Sequence, residues 1–131
     1  MASRLIDLLK LQHPIVQAPM AGGATTVDLV SEASKAGVLG SLGAAYMSPE
    51  QIETTAQAIR ARTPQPFAIN LFASVPEEPM RGDADRMLAL LARYHQQLGL
   101  TPPAAPGPQA DPLPEQIEAV LRVRPTVLSF T

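Results

Sequence analysis

Apolar positions along this chain follow two alternating rhythms, short unbroken runs and longer stretches with a helical period. Leu5, Leu8 and Leu9 predict a short leading helix over residues 3–10, placed to cover an edge of the strands after it. The run 14–18 predicts a first strand. Helical spacing resumes after Thr25 and Thr26, either of which suits a cap, with Leu29, Val30 and Ala33 on one face and a stop at Gly37. The plan then repeats: 38–42, VLGSL, predicts a second strand, and 48–51, SPEQ, is a capping box with proline at the first helical position. The helix it opens turns Ile52, Ala56 and Ile59 inward. The third strand, 67–72, FAINLF, is nearly all apolar, as a parallel strand covered on both faces must be, and Asn70 is its one polar member.

Periodicity fails across 73–83, which reads as a loop. Asp83 or Asp85 then opens a helix carrying Met87, Leu88, Leu91 and Leu98 and closed by Gly99. Five prolines within the twelve residues 101–112 make an extended linker, so that an inserted helix and a proline-rich segment occupy about 73–112. A further helix over 114–123 carries Ile117, Val120 and Leu121, and 125–131 predicts a fourth apolar strand.

Strict alternation of short buried strands with amphipathic helices is the signature of an α/β fold with a parallel sheet. A doubly wound sheet and a (β/α)8 barrel both satisfy it, and both bind ligands at the C-terminal ends of their strands. Met20 to Gly23, Gly43 to Tyr46 and Asn70 all fall at such ends. Four strands are half a barrel, since a complete one takes about 250 residues. A fragment, or a chain completed by another chain, is the expectation, and an isolated half would expose two sheet edges and self-associate.

Composition narrows the chemistry. The 131 residues are 46% hydrophobic and carry 10 basic and 12 acidic side chains without blocks, for a net charge of −2. That balance gives no electrostatic footprint for nucleic acid or an anionic membrane. No apolar run approaches the roughly 20 residues that span a bilayer, and the N-terminus lacks a signal-peptide core, so a cytoplasmic protein is expected. There is no cysteine, and the two histidines, His13 and His95, are far apart in sequence; neither a thiolate site nor a histidine metal cluster is expected.

The candidate site is the rim. In 19–23, PMAGG, Pro19 brings no amide donor and the small residues after it let a flat ligand approach the backbone, where the amides of Met20 and Ala21 can meet the acceptor edge of an aromatic heterocycle. A plain tight strand-to-helix turn explains the same glycines. Asn70 either hydrogen-bonds a ligand or satisfies neighbouring groups inside the fold. Tyr46 and Phe72 either flank an apolar pocket or pack between strand and helix, and Ser129 and Thr131 stand near the end of the last strand. No GxGxxG or GxxxxGK[ST] occurs. The carboxylates fall at helix starts or on polar faces, where the helix dipole accounts for them.

HPIVQAPMAGG, followed by AGVLGSLGAAYMSPEQI, PFAINLF and a final VLSFT, resembles the N-terminal part of the nitronate monooxygenases over about residues 11–72 and 113–131. The resemblance implies about the first four strands of an FMN-dependent (β/α)8 TIM barrel, and an enzyme that oxidises alkyl nitronates with dioxygen to carbonyl compounds and nitrite. It assigns Pro19, Met20, Ala21 and Asn70 as flavin contacts. It assigns no catalytic residue here, because the family's histidine base and its grip on the FMN phosphate belong to later strands, and neither His13 nor His95 matches that histidine. Activity is therefore expected only with the remaining barrel segment or another chain, in an oligomeric protein. The related FMN-dependent enoyl reductases are one alternative; a non-enzymatic, self-associating half-barrel is another.

Overall fold

In a computed structural model of the chain, residues 4–73, 84–105 and 110–131 are described. The chain divides into two units, Met1–Ser74 with Asp111–Thr131, and Val75–Ala110.

The first unit is a three-stranded parallel sheet in the order β1 (Gly40–Gly43), β2 (Phe67–Leu71), β3 (Val127–Phe130), with helices α1 (Arg4–Leu9), α2 (Val27–Lys35), α3 (Pro49–Arg62) and α5 (Leu113–Val123). The sequence encodes the helix starts directly. Thr26 caps α2 by accepting from the Leu29 amide, and Ser48 caps α3 in a complete capping box with Gln51. Each cap satisfies amides that the first turn leaves without partners. The register pairs Ser41 with Ala68 and Val127, and Gly43 with Asn70 and Ser129.

Alternation along the strands separates two faces. One carries Leu42, Phe67, Ile69 and Leu71 against Val30, Ile52, Ala56, Ile59, Ala119, Val120 and Val123 of the helices, and is the main core. The other carries Ser41, Gly43, Ala68, Asn70, Val127 and Ser129, small and polar residues, with Leu9 of the leading helix packed on Leu39 and Ala68 at its lower end. The leading helix does what its leucines predict with Leu9 alone; Leu5 and Leu8 stay exposed. Leu121, expected inward, is also exposed, because the buried stripe of α5 runs through Gln116, Ala119, Val120 and Val123.

The first predicted strand, 14–18, is reduced to a single parallel bridge between Val16 and Leu39. The Leu39 amide donates to Ile15 and the Gln17 amide to Leu39, after which the ladder stops. The next rung, from the Ser41 amide to the Gln17 carbonyl, is not made, and the one after it would need a donor from Pro19, which has none. The side chain of Gln17 takes over: its Oε1 accepts from the Ser41 amide at 3.1 Å and its Nε2 donates to the Ser41 carbonyl at 3.3 Å. The segment is thus fastened to β1 by a carboxamide where a strand would use its backbone.

The second unit contains α4 (Ala84–Gln97), close to the helix the sequence predicts, though none of its residues is buried. The predicted loop over 73–83 and its candidate cap Asp83 lie almost wholly outside the described residues, as do residues 106–109 of the proline-rich linker; the described linker residues 101–105 have no regular structure.

Candidate functional site

Among the described residues the C-terminal ends of the strands form a rim without a charged side chain: Met20 to Gly23 beside β1, Gly43 to Met47 after it, Asn70 to Ala73 at β2, and Phe130 with Thr131 at β3. Its centre is the place where the Met20–Ala21 peptide lies on Gly43. A Cβ at Gly43 would sit 2.6 Å from both the Ala21 nitrogen and the Met20 carbonyl carbon, so only glycine admits this approach. Gly22 and Gly23 then turn the chain with φ of +82° and +96°, and α2 starts four residues later.

Thr25, only 3% exposed, locks that contact. Its hydroxyl accepts from the Gly43 amide at 2.9 Å and donates to the Met20 carbonyl at 3.0 Å. Of the two threonines that suit a cap, Thr26 caps and Thr25 faces the rim. Sequence reasoning missed this role, and the only available signal was that a single cap leaves the second threonine over.

The Asn70 side chain is buried and donates from Nδ2 to the hydroxyls of Ser129 and Thr131, both at 3.0 Å, while Thr131 donates back to Oδ1 at 3.3 Å. The structure therefore joins three of the residues singled out in the sequence, and supports the reading in which Asn70 satisfies its neighbours. An amide has two donors and two acceptor positions, so Oδ1 keeps capacity for a further donor. Met20 and Ala21, which follow Pro19, lie against Gly43, the register partner of Asn70. Met20 is 42% exposed, as its position outside any helix stripe suggests.

Tyr46 and Phe72 meet edge-on, with ring centroids 5.6 Å apart and planes at 90°, and both are exposed. They pack on each other across neighbouring strand ends, an arrangement favoured by the aromatic quadrupole. A shallow hollow of about 260 Å³ lies beside them, lined by Gly22, Gly23, Gly43, Tyr46, Met47, Gln51 and Thr55. Gln116, missed in the sequence, holds this part of the rim from below: buried in α5, it donates to the carbonyls of Ala45 at 3.1 Å and Met47 at 2.9 Å. Its signal was a polar residue opening the stripe that continues at 119, 120 and 123.

A larger hollow of about 500 Å³, lined by Arg86, Met87, Ala89, Leu90 and Arg93, lies on α4 in the second unit. It is the open side of one helix, between two arginines. In the first unit His13 is exposed ahead of the Val16 bridge; in the second, the His95 Nδ1 lies 2.5 Å from the Thr101 carbonyl oxygen. Among the described residues no group of three or more His, Cys, Asp or Glu is arranged to hold a metal. No described helix is long and apolar enough to cross a membrane.

The family model described as nitronate monooxygenase matches residues 2–131. A curated protein of Staphylococcus haemolyticus named "Probable nitronate monooxygenase" is 33% identical over 129 residues, which are 98% of this chain and 36% of that protein. Its namesake in Staphylococcus aureus strain Newman is 30% identical with the same coverage. Among solved structures, nitroalkane oxidase from Streptomyces ansochromogenes superposes with a TM-score of 0.80 at 31% identity, covering 98% of this chain and 35% of that one. FabK from Thermotoga maritima gives 0.53 at 30% identity over 72% of this chain and 28% of its own. The chain thus spans about a third of the length of the relatives it matches.

Proposed function

The chain belongs to the nitronate monooxygenase family, and from that premise we propose that it forms one wall of the flavin site in a (β/α)8 barrel that oxidises alkyl nitronates with dioxygen to carbonyl compounds and nitrite. In this reading the Val16 segment and β1–β3 are the first strands of the barrel, and residues 73–112 are an insertion between consecutive barrel strands. Bound FMN would supply the transfer of electrons from nitronate to dioxygen. The described residues fit its ring and not its phosphate: among them the rim carries backbone donors, a thioether and a carboxamide, but no lysine or arginine. Pro19, Met20 and Ala21 would line the ring edge, and Asn70, held by Ser129 and Thr131, would offer Oδ1. Exposed Met20, Tyr46 and Phe72 would keep water from an apolar ligand face.

The observation that carries the reading is the bare Met20–Ala21 peptide laid on Gly43 at a rim whose described side chains are uncharged. No described residue at that rim is a general base, so we infer that the acid–base group and the phosphate grip come from outside these 131 residues, and that this chain alone does not turn over nitronate.

The test is to purify the chain, alone and together with the C-terminal two-thirds of the Staphylococcus haemolyticus relative, and to record the flavin spectrum and nitrite release from propyl-2-nitronate. We expect a colourless, inactive chain alone, with flavin and nitrite appearing in the mixture. Turnover of enoyl thioesters without nitrite release would instead favour the enoyl reductases. A stoichiometric flavin on the chain alone would overturn the division of the site.

A further inference from the structure

The use of two adjacent threonines for two different purposes points to a positioning device in the rim. We propose that Thr25 is a positioning residue: its buried hydroxyl fixes the orientation of the Met20–Ala21 peptide and so decides that the Ala21 N–H is the donor offered to the ligand. This rests on the reading of the rim as a flavin wall.

Peptide geometry sets the direction of that donor. The Met20 carbonyl receives the Thr25 hydroxyl proton at 3.0 Å. No cis peptide bond occurs among the described residues, so the carbonyl of Met20 and the N–H of Ala21 point in opposite directions across their shared plane. With the carbonyl held on Thr25, the Ala21 N–H is turned away from it, and no acceptor for it exists among the described residues. The peptide cannot relax by sinking or rotating towards β1, because its atoms already stand against Gly43. Nor can the threonine swing away freely, since its oxygen also accepts from the Gly43 amide at 2.9 Å and the residue is 3% exposed. One hydroxyl therefore couples three things: the amide of the strand end, the carbonyl of the turn, and the free donor beyond it. A plain turn needs the glycines and a cap. It does not need a second, buried hydroxyl to choose the face on which the Ala21 amide appears.

The test is amide-resolved NMR on the isotope-labelled 131-residue chain combined with the unlabelled C-terminal two-thirds of the Staphylococcus haemolyticus relative, reading hydrogen exchange at Gly43 and the shift of the Ala21 amide on adding excess FMN. Wild type and Thr25→Ser should show a protected Gly43 amide and a downfield shift of Ala21. In Thr25→Val, protection at Gly43 and the response of Ala21 should both be lost; Thr25→Ala, which cannot overpack the site, serves where the valine perturbs folding. Thr26→Ala removes the cap of α2 and should leave both signals in place, which separates positioning from general loss of stability. An unchanged Ala21 response in the folded Val or Ala variant would overturn the role of Thr25 and leave the flavin reading standing. Gly43 protection that follows the hydroxyl, with no FMN response at 19–23 in wild type, would instead sink the flavin reading and with it the assignment of a ligand to this donor.

Discussion

Gly43 is where the rim depends most sharply on a single residue. The atoms a methyl group would meet belong to the Met20–Ala21 backbone, at 2.6 Å, and not to a side chain that can rotate aside. Gly43→Ala should therefore lose about 1–3 kcal/mol, the usual cost of overpacking, measured as a lowered urea midpoint; an unchanged midpoint would show that the approach is loose. Asn70→Ala should behave differently. Its partners Ser129 and Thr131 lie on partly exposed positions and can turn to water, so stability should fall by only about 1 kcal/mol. In the completed protein the same change should weaken FMN, and unchanged FMN affinity and turnover would remove Asn70 from the site. Met20 and Asn70 were legible in the sequence because each breaks a local pattern. Thr25 was not separable from Thr26 without knowing that Gly43, eighteen residues on, would present its amide there.

Helices were read from the sequence nearly to their ends because their caps are local chemistry; the first strand was not, because its ladder is decided by a partner. The Gln17 side chain takes the Ser41 amide in place of its own carbonyl, and Pro19 has no donor for the rung beyond, an exchange visible only once Ser41 stands opposite. Gln116 is the same kind of long-range polar contact within an apparently apolar stripe. Gln116→Leu keeps the size and strands the carbonyls of Ala45 and Met47, so we expect a loss of about 1–3 kcal/mol in thermal or urea unfolding; wild-type stability would mean that water replaces the amide. The start of α3 predicts a pH effect. Glu50 is held below its usual 4.5 by its own backbone amide first and by the Ser48 hydroxyl second. A depressed carboxylate contributes stability that is present above its unfolded value and is lost as pH falls through the folded one. Ser48→Ala removes the cap, worth about 1 kcal/mol, and returns Glu50 towards its usual value. The gap between wild type and variant should therefore be widest at neutral pH and narrow below pH 4.5, as read from urea midpoints at pH 7 and pH 3.

At the scale of the molecule, the two faces of the sheet are unequally finished. Helices α2, α3 and α5 cover one face with a continuous core, whereas the other carries a small cluster around Leu9, Leu39 and Ala68 and a row of glycine, asparagine and serine above it. Among the described residues β3 pairs only with β2, and Phe130 at its end is 50% exposed, level with exposed Phe72, Tyr46 and Met20 at the other strand ends. An unpaired strand edge beside an apolar rim is a template for pairing with another chain. The isolated chain should therefore self-associate with increasing concentration in sedimentation velocity. Phe130→Lys, which places a charge on that edge and removes an aromatic ring from the rim, should shift it towards monomer without loss of the main core, since Phe130 is not part of it. If the same edge receives the rest of a barrel, adding the C-terminal segment of a relative should suppress self-association of the wild-type chain as it restores flavin binding. Flavin binding restored while the chains still self-associate through Phe130 would show that the edge and the flavin wall are separate surfaces.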